Sequence, residues 1–377
     1  MDYIVLSIPL FFILIGLEVV VSALKKSELY RFNDAVTNIS CGITQQVIGA
    51  LFKTVLLVGY LYIYKHWSFW DIPNYWIIWI ILFVSIDFCY YWLHRSTHEV
   101  NLFWGAHIVH HQSEEYNLSV ALRQSSLQST LYQFWIHTKT IDKMPVWFEY
   151  IFNTPSHHRV HHGRNPKYID RNHGGTLIIF DRLFGTFQAE EEEVVYGVTK
   201  NLNSWNPVWA NLDYYVDLWS EFKLMPTWGD RIKLLIHKPG WRPEVMGGPK
   251  SVPEISAQDT TKYDTKISLP INYYVLVQYA LILAFGSLFL LKLDGMMWTE
   301  KIIGTILIIG SVTSMGIILE NKLWIKWGEV ARLIALSVIV CLWSSTTIIW
   351  ILVIGMSTLS LIYFHIYYRP MQVIAKS

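Results

Sequence analysis

The sequence predicts an all-α protein, a polytopic membrane helical bundle that carries a histidine-rich helical region on its cytoplasmic side. Three observations predict it. Of 377 residues, 53% are hydrophobic and only 16% are charged, against about 25% charged in an ordinary soluble domain. The apolar residues gather into long runs near the roughly 20 residues that a helix needs to cross the hydrocarbon core. Eleven of the fourteen histidines fall in the 80 residues from His94 to His173, leaving three for the other 297 positions.

The same composition excludes several classes. Apolar residues in this proportion rule out intrinsic disorder. Thirty basic against 29 acidic residues give a net charge of +1, too little for a surface built to neutralise nucleic acid phosphates. Three cysteines, Cys41, Cys89 and Cys341, make neither a disulfide framework nor a cysteine-based zinc module. Each lies in or beside an apolar run, which assigns them to membrane packing.

The first run, Ile4 to Leu24, is interrupted by Pro9 and Glu18 and is too long for a cleaved signal peptide. The second, Ile43 to Tyr64, contains Gln45, Gln46 and Lys53, which should face other helices because bare polar groups are costly in hydrocarbon. The third is Tyr75 to Leu93. Apolar runs return at Ile271 to Leu291 and Ile302 to Leu319, and then at Ala331 to Leu342 and Thr346 to Phe364, the last two read as a short or re-entrant hairpin. Five to seven spans fit this pattern. The chain thus divides into amino-terminal spans (residues 1–93), a polar region (94–268) and carboxy-terminal spans (269–377). Lys25, Lys26 and Arg31 follow the first run, and Lys139, Lys143, Arg159, Arg164, Lys167, Arg171 and Arg182 fill the polar region. The positive-inside rule puts that region in the cytoplasm and the amino terminus outside. Within it, Glu190 to Glu193 reads as a solvated loop rather than a calcium site, and Asn117 to His137 as an interfacial or core helix.

The histidines carry the chemistry. His94 and His98 are four residues apart at the end of the third run, on one face of a helix. His107-Ile-Val-His110-His111 and His158-Arg-Val-His161-His162 repeat one spacing, and positions i, i+3 and i+4 form a compact triangle on a helix. These eight neutral imidazoles suit iron, zinc, copper or nickel rather than magnesium or calcium, and they exceed the three or four that one zinc uses. Two ions are the natural count. Gln133-Phe-Trp-Ile-His137 repeats the spacing of four with glutamine in first place, so His137 is a ninth candidate ligand and Gln133 a residue that orients a neighbour. Asp87, seven residues before His94, either accepts the second N–H of a metal-bound imidazole or hydrogen-bonds another helix. His157 points about 100° from His158 and is read as an outer residue of the site. His173 either ligates or is exposed. His66, His237 and His365 lie outside the cluster.

The ordered set of the three histidine motifs resembles the fatty acid hydroxylase superfamily, which includes sterol desaturases and C-4 methyl oxidases. Five strings resemble the alkylglycerol monooxygenase branch most: Asp87-Phe-Cys-Tyr-Tyr-Trp-Leu-His94-Arg, His110-His111-Gln-Ser-Glu114-Glu-Tyr-Asn117-Leu, Ala121-Leu-Arg123-Gln-Ser, Tyr132-Gln-Phe-Trp-Ile-His137-Thr and Asn153-Thr-Pro-Ser-His-His-Arg-Val-His-His-Gly163-Arg-Asn. The close resemblance covers roughly residues 75 to 225. It implies that residues 94–268 are a di-iron catalytic region whose ligands are the eight motif histidines with His137, and that Glu114 and Asn117 shape the site. It further implies a lipid substrate, O₂, an electron donor that in this branch is tetrahydrobiopterin, and cleavage of the ether bond of alkylglycerols. The membrane would be the endoplasmic reticulum in a eukaryote or the inner membrane in a bacterium. A sterol, fatty acyl or carotenoid hydroxylase or desaturase is the alternative within the superfamily, and a zinc protein or metal transporter the alternative outside it, since spacing does not choose iron over zinc.

Two departures from the resemblance matter. His173 stands where many relatives have an aromatic residue. Relatives usually carry an extra apolar hairpin where here only Ser126 to Leu131 intervene. If Ala121 to His137 is one helix, its length of about 24 Å is too short to span. It is then expected to lie across the cytoplasmic mouth of the bundle, with Gln133 and His137 facing inward.

Overall fold

A computed structural model describes residues 3–70, 72–123, 131–256, 258 and 260–369, without the side chains of residues 3–7, 53, 54 and 131. Fourteen α-helices are formed among the described residues: α1 (Tyr3–Lys25), α2 (Phe32–Trp67), α3 (Trp76–Glu99), α4 (Asn101–His111), α5 (Leu131–Ile136), α6 (Val146–Ile151), α7 (Pro155–His161), α8 (Ile179–Leu183), α9 (Pro207–Leu224), α10 (Trp228–Ile236), α11 (Leu269–Lys292), α12 (Trp298–Leu319), α13 (Ile325–Trp343) and α14 (Thr347–Tyr367). No named strand occurs among them.

Five helices, α1, α3, α11, α12 and α14, are long and apolar enough to cross a membrane, and six if the two parts of α2, which meet at 48°, are taken as one span. Their outer faces are apolar side chains, such as Leu56, Ile63, Trp79 and Ile351, which in water would be a liability and in lipid are ordinary solvent contacts. The protein is multi-pass. The first turns of α2 are different: Val36, Thr37, Asn38, Ser40, Cys41, Thr44 and Val47 are buried where α2 packs on α9, α11 and α12. This explains why the span begins eleven residues before its apolar run does.

The chain beyond α1 is tied to the histidine region, with Leu29 C=O accepting from Asn117 and Arg31 pairing with Glu115. The amino-terminal end of α1 lies about 34 Å from Lys25 along this 23-residue helix, which packs on the same region as far as Phe11. Glu18, the acid that interrupts the first run, is buried and accepts from the Leu118 N–H at 2.8 Å and from the hydroxyls of Tyr30 and Thr138.

Two expectations need correction. The last two helices are no short hairpin: α13 has 19 residues and α14 has 21, rises of about 28 and 32 Å. Charge at the head of α13 hides its length, because Glu329 and Arg332 interrupt the apolar pattern yet neutralise each other at 2.5 Å in the interior. Nor is Ala121 to His137 one helix. Val120–Leu122 is a single 3₁₀ turn, and Arg123 leaves the helical path at φ −76° and ψ 65°. From there its guanidinium reaches Val109 C=O, Asn38 Oδ1 and Gln112 Oε1. The intervening residues 124–130, and with them most of the shortened connection, lie outside the described residues. Gln133 and His137 are buried and Arg123 is on the same side as His137, since His110 contacts both. The acidic run is a loop with Glu191, Glu192 and Glu193 exposed, but Glu190 is locked by the buried Arg159 at 2.6 Å.

Candidate metal centre

The three motifs and His137 converge. The nitrogens of His94, His98, His107, His111 and His161 lie within 4.8 Å of one another, and so do those of His110, His137, His158 and His162. All nine rings are buried. The division follows from helix geometry. In each triad the residues four apart, His107 with His111 and His158 with His162, face one donor set, while the third residue, His110 or His161, is turned toward the other. The pair His94 and His98 on the last turns of α3 completes the first set. His137, just beyond α5, completes the second.

Every orientation that the hydrogen bonds define presents Nε2 inward. Nδ1 of His94, His110, His137 and His161 meets the backbone carbonyls of His173, Arg123, Gln133 and Arg171 at 2.6–3.0 Å. An Nδ1–H that donates to a carbonyl leaves the Nε2 lone pair free for a cation. Those inward atoms are crowded: His94 Nε2 and His111 Nε2 each stand 3.1 Å from His107 Nε2, and His137 Nε2 stands 3.0–3.2 Å from those of His110, His158 and His162. Two donors bound at about 2.1 Å to one ion are separated by about 3.0 Å at a right angle. The donor sets therefore fit metal ions. Nε2 of His98 and His161 has no hydrogen-bond partner, and a buried polar atom left so is costly unless a ligand meets it.

Electrostatics favour the neutral form that a metal needs. Burial drives His107, His111, His137, His158, His161 and His162 well below the ordinary imidazole range, and neighbouring imidazoles push the same way. Burial, with the Arg123 guanidinium pushing the same way against the hydrogen bond to its carbonyl, lowers His110 to about 4.

The surrounding residues act differently from the sequence reading. Asp87 touches no imidazole. Its carboxylate accepts from the Thr176 and Leu177 N–H groups, both at 2.8 Å, and so pins the loop whose His173 carbonyl holds His94. A side chain on Gly175 would place Cβ 2.8 Å from Asp87 Oδ1, and one on Gly174 would place it 2.9 Å from Asp181 Oδ2, so this loop fits only with glycine at both positions. Gln133 orients His137 through its backbone carbonyl, not its amide. Glu114 accepts from the Tyr263 N–H and Asn201, and Asn117 donates to Leu29 C=O; both brace the segments that follow α4 without reaching a histidine. His157 turns away, its ring against Phe187 at 5.4 Å, and is held by its carbonyl through Asn172. His173 is neither exposed nor in a donor set. It is wholly buried with its ring 5.0 Å from that of His98. His66, His237 and His365 are exposed, as their isolation suggests.

The sequence reading missed Asp181, which is buried, accepts from the His173 and Gly174 N–H groups and Thr186 Oγ1, all at 2.7 Å, and is pushed up to about 6 by burial. The Gly174-Gly175 pair was the available signal for it. The carbonyls of Arg123, Arg171 and His173 had none, since a backbone acceptor leaves no mark in residue identity.

A helical membrane bundle that holds nine neutral imidazoles in two adjoining sets has the make-up of a membrane-bound metal oxidoreductase. Its relatives make the class specific. The family model for fatty acid hydroxylase matches residues 79–133 and 125–186. The chain is 36% identical to the human alkylglycerol monooxygenase over 352 residues, covering 85% of this chain and 78% of the relative. It is 37% identical to that of Xenopus tropicalis over 355 residues with the same coverage, and 30% identical to that of Caenorhabditis elegans over 359 residues, 81% of this chain and 70% of the relative. The chain belongs to the fatty acid hydroxylase family. No solved structure matches it.

Proposed function

We propose that the protein is a di-iron monooxygenase that cleaves the ether bond of alkylglycerol lipids. The observation that carries this reading is the pairing of two buried imidazole sets with relatives named alkylglycerol monooxygenase over most of the chain. In the proposed reaction O₂, two electrons and two protons convert the ether-bearing CH₂ to CH(OH), with water as the second product. The resulting hemiacetal collapses to a fatty aldehyde and a free glycerol hydroxyl. That collapse needs no dedicated acid–base pair, so the protein's task is the first step.

Two irons held by the nine histidines would supply the O₂ and electron-transfer chemistry. The chain's own residues do the rest. Four backbone carbonyls fix the tautomer of four ligands, and Asp87 and Asp181 hold the loop that carries one of those carbonyls. Burial of every ring excludes bulk water. An alkyl chain is drawn from the bilayer beside α1 and α5, where Phe11 stacks on Phe134 with ring centres 4.3 Å apart. Residues 94–268 form the catalytic region between two groups of spans and face the cytoplasm, a placement supported by the lysines and arginines gathered on that side. Tetrahydrobiopterin is the proposed electron donor, by similarity to the relatives' class.

The test is turnover of a labelled alkylglycerol by the purified protein in lipid nanodiscs, with and without tetrahydrobiopterin. Labelled aldehyde formed only with O₂ and the pterin is the expected result. Hydroxylation of a sterol or fatty acyl chain in its place would overturn the substrate, and two tightly held zinc ions with no O₂ uptake would overturn the chemistry.

A further inference from the structure

The two donor sets are copies of one arrangement, with one member replaced. Matching His98, His107, His111 and His161 of the first to His137, His158, His162 and His110 of the second pairs every ring separation. His98 stands 4.8, 4.9 and 4.8 Å from His107, His111 and His161, and His137 stands 4.3, 5.0 and 5.0 Å from the matching rings. The pairs His107–His111 and His158–His162 are 4.9 and 4.8 Å apart, and His111–His161 and His162–His110 are 4.8 and 4.5 Å. The long separations agree as well, 6.4 Å for His107–His161 and 6.3 Å for His158–His110. What remains is His94, and its counterpart by sequence is Gln133, four residues before His137 as His94 is four before His98.

These separations also say where each ion would be open. A ring bound through Nε2 at about 2.1 Å has its centre about 3.2 Å from the ion, so neighbouring ligands have ring centres about 4.5 Å apart and opposite ones about 6.4 Å. In the first set His94, His107, His111 and His161 close a square with sides of 4.9, 4.9, 4.8 and 4.5 Å, and His98 caps it. One position is left, opposite His98. In the second set His158 and His110 are opposite, while His137 and His162 are neighbours. Two positions are left, opposite His137 and opposite His162, and they adjoin each other. The second of these is where His94 would stand in the copy, and the amide Nε2 of Gln133 is buried without a hydrogen-bond partner.

We propose that Gln133 makes the centre unequal: the ion held by His110, His137, His158 and His162 offers two adjacent open positions to exogenous ligands, whereas its partner offers one. The reacting ligand then binds on the α5 side, beside α1 and the bilayer. This inference rests on the two-ion reading above but not on the choice of substrate.

The experiment uses the full chain in nanodiscs loaded with Co²⁺ and titrated with acetohydroxamate, a small bidentate anion that needs two adjacent positions on one ion, followed by the visible cobalt bands. The native protein should take two cobalt ions and one tightly bound acetohydroxamate. Gln133→His should keep both ions and lose the chelate, while Gln133→Ala keeps it. His94→Ala opens a position next to the one opposite His98 and should raise the count to two. His98→Ala, one turn away on α3, opens only the opposite position and should leave it at one. Native binding of two or no chelates, or a Gln133→His protein that still binds one, would overturn the proposal. Fewer than two cobalt ions on the native protein would instead overturn the two-ion reading.

Discussion

Two of this molecule's buried polar clusters are built on opposite terms. Among the carboxy-terminal spans, Glu329 and Arg332 pair directly, Ser314 donates to Glu329 at 2.7 Å, Tyr274 donates to the same carboxylate, and Arg332 donates to Gln278 at 2.7 Å. Nearly all of its donors and acceptors are matched within it. The histidine centre is the reverse: nine neutral rings turn lone pairs toward one another at close range with no protein group between them. A self-satisfied cluster fixes how helices dock, whereas one that is satisfied only outward, by carbonyls behind four of its rings, is arranged around a guest. Burial and polarity are common to both, so neither marks the functional site. The unmet atoms do.

The sharpest way to break this contrast is to remove one ring. His161→Ala should abolish alkylglycerol turnover, a loss beyond the roughly 10- to 100-fold typical of residues that only support a ligand, and should lower the metal content of the first set. Membrane insertion should not change, because it depends on the spans. Metal analysis and turnover on the same nanodisc preparation decide the matter, and full activity would remove the assignment.

At the other cluster the loss should appear as stability alone. Arg332→Met leaves a buried carboxylate unpaired and should destabilise the protein by about 3–5 kcal/mol, while replacing both partners with Met should cost less. Iron stoichiometry should stay at the native value in whatever fraction remains folded. If the double variant is as unstable as the single one, the pair is not a self-contained unit.

The same two clusters show what the sequence makes legible. The convergence of the histidines could be read because metal binding demands one residue type at helical spacings, and core packing alone does not place eight histidines in three such motifs. Span lengths could be read wherever apolar runs were unbroken. Reading failed where a residue acts against its type. Glu329 and Arg332 cancel in space, so α13 looked short. Asp87 serves backbone N–H groups, not an imidazole, and Arg123 breaks a helix to place both its guanidinium and its carbonyl. Asp87 and Arg123 act on tertiary partners 85 to 90 residues away, and the Glu329–Arg332 pair, only three residues apart, is hidden because charge type alone does not show that it is buried.

Acid should separate the clusters again. For the imidazoles outside the spans burial lowers the folded pKa, His110 to about 4, against about 6.5 in the unfolded chain. Between those values the unfolded state binds the extra proton, so stability is full above about pH 6.5 and falls as pH drops toward 4. The metal-free protein should therefore lose denaturant resistance steadily from pH 6.5 to pH 4, and bound metal should delay that loss because it occupies the same lone pairs. Unfolding midpoints of the metal-free form that stay level from pH 7 to pH 5 would contradict the neutral, buried assignment.

The smallest effect tests whether proximity in the chain or the direction of the ring decides function. His237 follows α10, and its backbone carbonyl accepts the N–H of Asn101, the first residue of the helix that carries His107, His110 and His111. Its neighbour Lys238 reaches Asp170, which stands 3.8 Å from His98. By backbone, then, it is close to the centre. Its ring is exposed and stacks on Trp241 with ring centres 5.1 Å apart and planes 16° from parallel. His237→Ala keeps the carbonyl and loses only that surface contact, so stability should change by no more than about 0.5 kcal/mol, with turnover and metal content unchanged. Unfolding curves and turnover measured beside His161→Ala supply the comparison. A His237→Ala protein that lost its metal would mean that the centre depends on side chains well outside the two sets, and the contrast between gathered donors and matched pairs would no longer locate it.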